Sequence, residues 1–135
     1  MGKLIEGELT YCVIGAAMEV HRVLGPGFLE TAYQRSMEVE LRQRGIVFEA
    51  QRRIALAYKG ESLGDHVLDL VIDAKVVVEL KAVRELSEHH KAQVISYLKA
   101  SRLPVGLLLN FAKASLEHKR VILKDALLSN PRNPL

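Results

Sequence analysis

One cysteine, Cys12, is all the thiol the chain carries, so no internal disulfide can staple its fold, and a reducing setting is expected. Tryptophan is missing and aromatics make up only 5% of residues, which leaves no aromatic ladder on which successive bases of a single strand could stack. No apolar run approaches the roughly 18 to 20 residues that a bilayer span requires, and the opening stretch MGKLIEGELTYC has no long apolar segment either. A cytoplasmic protein with no membrane partner is the expectation. Internal repeats and low-complexity segments are also missing. No large excess of one charge is present: 19 Lys and Arg stand against 16 Asp and Glu, a formal charge of +3. That balance suits an anionic partner without identifying one. What is there is ordinary globular composition, 49% apolar and 26% charged over 135 residues. This is enough for a single domain over 1–135, with its core at about 4–123 and a C-terminal tail at 124–135.

Along the chain, Leu4, Ile5, Leu9, Cys12, Val13, Ala16, Ala17, Val20 and Leu24 recur at the three-to-four spacing of an amphipathic helix. Cys12 falls in that pattern and reads as a core residue. Gly25-Pro26-Gly27 then breaks the helix, and a second one starts near Leu29, runs to about Arg44 and stops at Gly45. From residue 46 the pattern becomes alternating and β-branched: IVFEAQRRIALAYKG, then ESLGDHVLDLVID, then KVVVELKAV, which reads as three antiparallel strands in two hairpins. Ser87 is a fair N-cap, with Glu88 in the first turn, for a third helix to about Ser101. The strands VGLLLNF and HKRVIL follow, and SNPRNPL has the composition of a frayed end. A crossover helix between the third and fourth strands makes them parallel neighbours. The expected fold is α/β: a mixed central sheet flanked by helices, with two helices at the N-terminus, and a central strand apolar on both sides.

The stretch VIDAKVVVELKAV, 71–83, conflicts with that last requirement, because Glu79 and Lys81 interrupt what otherwise reads as the buried central strand. Buried charges cost several kcal/mol each unless they are paired, hydrogen-bonded or bound to a metal. Residues two apart on a strand share a face, so Glu79 and Lys81 lie side by side. On the preceding strand the only acid embedded among apolar residues is Asp69. A three-residue loop, Asp73 to Lys75, puts Asp69 directly across from Glu79, whereas a two-residue loop puts it opposite Val78 on the wrong face unless a bulge restores the alignment. Two converging carboxylates beside an ammonium form a hard oxygen site suited to Mg²⁺ or Mn²⁺, with the lysine placed to orient or deprotonate water, or to neutralise developing charge. The alternative is an ion-pair cluster at a sheet edge with no chemistry.

Asp69, the Glu79-Leu80-Lys81 triplet on the next strand and a following helix with Gln93 and Tyr97 resemble the core of the PD-(D/E)XK nuclease superfamily, with its Q-x-x-x-Y helix. GFLETAY at 27–33 carries the Gly, Glu and Tyr of the GxxExxY signature, which names a small family within it, and LLLNF follows in the family's order. The superfamily's proline before the aspartate is absent, Leu68 standing there. The resemblance runs from the first helix to about Leu123. It implies a Mg²⁺-dependent phosphodiesterase fold in which Asp69 and Glu79 are metal ligands, the Leu80 carbonyl completes the protein's share, Lys81 is the catalytic lysine and Glu30 is an auxiliary acid.

Gln93 and Tyr97 are four apart and stack on one helical face, from which an amide and a phenol could hold a phosphate or a water, or simply form a polar seam and a core aromatic with a wet end. Glu30 and Tyr33 share a face of the second helix. Glu30 turns inward to a metal or to Lys81, or outward as a first-turn acid. His66, three before Asp69, faces the opposite side of a regular strand, His21 and His118 read as surface residues, and His89 and His90 open the third helix, where they could approach a phosphate. Arg42, Arg44, Arg52 and Arg53, with Lys91, Lys99 and Arg102 on the third helix, are groups that suit a phosphate backbone. The function expected is Mg²⁺- or Mn²⁺-dependent hydrolysis of phosphodiesters, with DNA as partner. The alternative is a nuclease-fold module that binds nucleic acid or a protein without cutting, and a homodimer through the long first helix is also open.

Overall fold

A glycine-bounded break separates the two N-terminal helices of the computed structural model, which describes residues 5–123. Helix α1, Gly7–Leu24, buries Val13, Ala16, Ala17 and Val20 along one stripe and ends at Gly25, whose φ of 68° few other residues adopt readily. Helix α2, Glu30–Gln43, buries Tyr33, Met37 and Leu41. Cys12 does not join the α1 stripe. It is exposed, because it precedes Val13 by one position and so points about 100° away from the buried side. His21 departs from expectation in the other direction: it is buried, and its Nε2 lies 2.8 Å from the Lys113 carbonyl.

Strands β1 (Phe48–Tyr58), β2 (Glu61–Ile72) and β3 (Val76–Lys81) are successive antiparallel neighbours. Helix α3, Glu88–Ser101, then crosses over to β4 (Val105–Asn110), which runs parallel to β3, and β5 (Glu117–Ile122) closes the sheet antiparallel to β4. The sheet order is β1-β2-β3-β4-β5, so β3 is central, as its apolar composition requires. The α/β class, the mixed sheet and the parallel β3–β4 pair agree with the reading of the sequence. The tail at 124–135 and Leu4 lie outside the described residues.

Two apolar layers cover the sheet. On one face α1 and α2 pack on Leu70, Ile72, Val76, Val78 and Leu80, and on the other α3 packs Val94, Tyr97 and Leu98 against Leu68, Val71, Val77 and Leu108. Ser87 caps α3 in a reciprocal box, its Oγ accepting from the His90 amide while the His90 ring accepts from the Ser87 amide, which assigns His90 to the helix start. The close approach of α3 to β4 depends on Gly106, where an added Cβ would stand 2.5 Å from Val94 Cγ1.

Candidate active site

The β2–β3 hairpin settles the register. Ile72 pairs with Val76, Val71 with Val77 and Leu70 with Val78, so the loop holds three residues and the next position sets Asp69 across from Glu79. The backbone ladder stops there and the side chains replace it. The Asp69 amide donates to Glu79 Oε2 at 3.0 Å, and the Leu80 amide donates to Asp69 Oδ2 at 2.8 Å. The strand also changes face at this point. Leu70 and Ile72 face α1 and α2, yet Leu68, which regular alternation would place with them, faces α3. Asp69 sits at the crossing point and so reaches both sides.

That irregularity corrects the expectation for His66. Its ring stacks on Tyr97 at a centroid distance of 3.9 Å, and its Nε2 lies 4.0 Å from Glu79 Oε1. Burial holds the His66 pKa below its ordinary value, against the pull of Asp69. Glu79 is only 4% exposed. Burial, reinforced by the Asp69 charge, pushes its carboxyl up to about 8, with Lys81 opposing. Lys81 Nζ donates to Gln93 Oε1 at 3.1 Å, which ties the end of β3 to α3. The Gln93 side chain also hydrogen-bonds Tyr97, whose phenol is pushed up to about 12 by burial and by the two carboxylates. Asp69, Glu79, Lys81, Gln93 and Tyr97 are thus brought together.

On the α2 side a cleft of about 380 Å³ opens against Asp69 and Leu80, lined also by Glu30, Gln34, Arg35 and Gln51. Glu30 is exposed at the start of α2 and its Oε2 accepts from the Ala82 amide at 3.3 Å. It lines the same cleft as Asp69 and Leu80, and among the described residues no three His, Cys, Asp or Glu side chains form a metal-holding cluster. Tyr33 serves the loop before α2: its hydroxyl donates to the Gly25 carbonyl at 2.6 Å and accepts from the Phe28 amide at 3.2 Å, and its ring stacks on Phe111.

The basic residues do not form one patch. Arg52 lies 3.8 Å from Glu49, Arg53 lies 4.0 Å from Asp65, and as strand neighbours the two arginines point to opposite faces. Arg44 is paired with Glu40 at 2.7 Å, while Lys91 is exposed on α3. Sequence reasoning missed Gln34, Gln51 and Asn110. Asn110, fully buried, joins Val83 and Glu117 through its amide, and its place at the end of an apolar strand was the available signal.

The donor set fits a divalent cation. Two carboxylates locked at hydrogen-bonding range, one of them buried and pushed toward its neutral form, need either a shared proton or a positive charge between them. An all-oxygen set favours a hard ion. Among the described residues, His66 adds a nitrogen beside the pair, its Nε2 4.0 Å from Glu79 Oε1.

The model of the PD-(D/E)XK nuclease superfamily matches residues 7–121. No curated protein matches. Among solved structures, the crystal structure of SSO0001 superposes with a TM-score of 0.58 at 19% identity, over 91% of this chain and 62% of that one, a likeness of fold alone. The chain therefore spans less than two thirds of the length of SSO0001. An alkaline exonuclease, LHK-Exo from Laribacter hongkongensis, gives a TM-score of 0.48 at 14% identity, and its complex with dAMP gives 0.49 at 14%, each covering 96% of this chain and 75% of the other. With a family match from α1 to β5, over the same elements that gather Asp69, Glu79 and Lys81, the chain belongs to the PD-(D/E)XK nuclease superfamily.

Proposed function

We propose that the protein is a divalent-metal-dependent nuclease that hydrolyses phosphodiester bonds, with DNA as its substrate and Mg²⁺ or Mn²⁺ as its cation. The observation that carries this reading is the interlocked Asp69–Glu79 pair beside Lys81, with burial and the Asp69 charge pushing Glu79 up to about 8. Asp69, Glu79 and the Leu80 carbonyl would hold the cation. A cation so held stabilises charge on a phosphate and eases the deprotonation of water.

The chain's own groups supply the rest. Lys81, fixed by Gln93 and close enough for its charge to act on Glu79, has further N–H donors that would orient a water or neutralise a developing phosphate charge. Gln93 and Tyr97 would add an amide and a neutral phenol as further donors. Glu30, which lines the cleft with Asp69, is the auxiliary acid that receives a proton or orders water. Arg52 and Lys91, on the α3 side of the sheet, and Arg53, on the other, contact the phosphate backbone. The finer placement in the GxxExxY family rests on Gly27, Glu30 and Tyr33. Gly27 has a φ of 108° and Tyr33 pins the loop that presents Glu30, so the signature has a physical basis in this chain.

Calorimetric titration with Mn²⁺ and with Mg²⁺ tests the reading without a choice of substrate. Wild type is expected to bind and Glu79→Gln to lose binding, and cleavage of branched, single-stranded or linear duplex DNA is expected to require the same cations. A wild type that takes up neither cation and cuts none of these substrates would overturn it.

A further inference from the structure

The backbone of Asp69 is hydrogen-bonded by side chains where a sheet residue would use its neighbours' backbones. Its N–H donates to the Glu79 carboxylate, and its carbonyl accepts from Gln34 Nε2 at 2.9 Å. Across on β1, Ala50 pairs with Leu70 and Arg52 with Leu68, while the position between them, Gln51 against Asp69, is skipped. Gln51 has a φ of 53° in the middle of a strand, a left-handed conformation that a residue with a Cβ adopts only when its surroundings impose it. Both strands change face at this pair. Phe48 packs with the α1 and α2 layer but Ile54 with the α3 layer, just as Leu70 and Leu68 divide on β2. Gln34 is itself braced by donating to Glu38 Oε2 at 3.0 Å. Both glutamines line the cleft that ends at Asp69.

We propose that Gln34 and Gln51 are positioning residues that hold the Asp69 carboxylate between the two faces of the sheet, so that a cation it shares with Glu79 is open to the cleft on the α2 side. The inference rests on the reading of Asp69 and Glu79 as metal ligands. Gln51 acts through its backbone: the left-handed turn releases Asp69 from the β1 ladder and lets both strands change face without shifting their register. Gln34 acts through its amide, which takes the carbonyl that β1 has released. With neither device, regular alternation would set Asp69 with Val71 and Val77 on the α3 face that Glu79 shares, closed to the cleft on the α2 side.

Two measurements on the full chain test this: the affinity for Mn²⁺ by calorimetry, and the low-field proton shift of the Leu80 amide, which reports its bond to the Asp69 carboxylate in the metal-free protein. Gln51→Gly, which favours the left-handed conformation, is expected to keep both at wild-type level. Gln51→Val, which disfavours it, and Gln34→Leu are expected to weaken Mn²⁺ binding about 10- to 100-fold and to move the Leu80 resonance upfield. Gln34→Leu also tests the proposal should Gln51→Val fail to fold, since leucine suits a half-buried helix position. The proposal is overturned if Gln51→Gly is as damaging as Gln51→Val, or if Gln34→Leu leaves both measurements unchanged. A wild type without Mn²⁺ affinity, whose Leu80 shift still responds to these substitutions, would remove the metal reading and leave the positioning of Asp69 standing.

Discussion

Lys81 is the residue on which cleavage and binding should separate. Its ammonium is held by Gln93 near the carboxylates rather than out on the surface. Lys81→Ala is therefore expected to lower the single-turnover cleavage rate about 10²- to 10⁴-fold, the usual range for a positioned proton-transfer group, while DNA retention in a gel changes little. Arg52→Ala combined with Arg53→Ala should do the reverse, weakening retention and flattening its salt dependence. Equal losses of rate and retention in both proteins would count against the assignment. Asp69, Glu79, Lys81, Gln93 and Tyr97 were legible because charged or amide groups in apolar strands, or four apart on one helix, demand partners. Gln34 and Gln51 were not legible, since glutamine is an ordinary surface residue and nothing in its neighbours announces a left-handed φ. His66 was misplaced for the same reason: the rule of alternation holds only while the strand is regular.

Elements were easier to read than their joints. The three-to-four spacing located α1, the Gly25-Pro26-Gly27 break and Gly45 bounded α2, the period of two located β1 to β3, and Ser87 marked the start of α3. The β2–β3 loop could not be resolved from composition, because Asp73 and Ala74 take left-handed φ values of 51° and 54° without the glycine that usually signals them. The joint between α3 and β4 was equally silent. Gly106 lies inside the apolar run VGLLLNF with no signal of its own, yet it is where Val94 rests on the sheet. Gly106→Ala should push α3 outward and cost about 1–3 kcal/mol, read by urea denaturation. Because Gln93 and Tyr97 ride on that helix, cleavage should fall further than the lost stability accounts for. Unchanged cleavage in a destabilised variant would show that α3 contributes packing alone.

Over the whole molecule, the carboxylate pair makes stability depend on pH. Unfolded Glu79 ionises near the ordinary value of 4.5, whereas in the fold it holds its proton to about 8. The folded state thus binds the extra proton between those limits, so this group's stabilisation is complete below 4.5, is lost as pH rises and is gone above about 8, at about 1.4 kcal/mol per pH unit. Denaturation of the metal-free protein at pH 5 and pH 8 should show this fall, with a shallower one in Glu79→Gln. A steeper fall in the variant would refute the account. The three-residue β2–β3 loop has one more consequence, and it concerns time. Asp69 and Glu79 meet through a hairpin, the quickest kind of sheet contact, whereas the parallel β3–β4 pair must wait for α3 to cross over. The two like charges are therefore brought together early, before the crossover is made. A divalent cation present during refolding should then act mainly on the forward rate, steepening the recovery seen by stopped-flow and leaving the unfolding rate nearly unchanged.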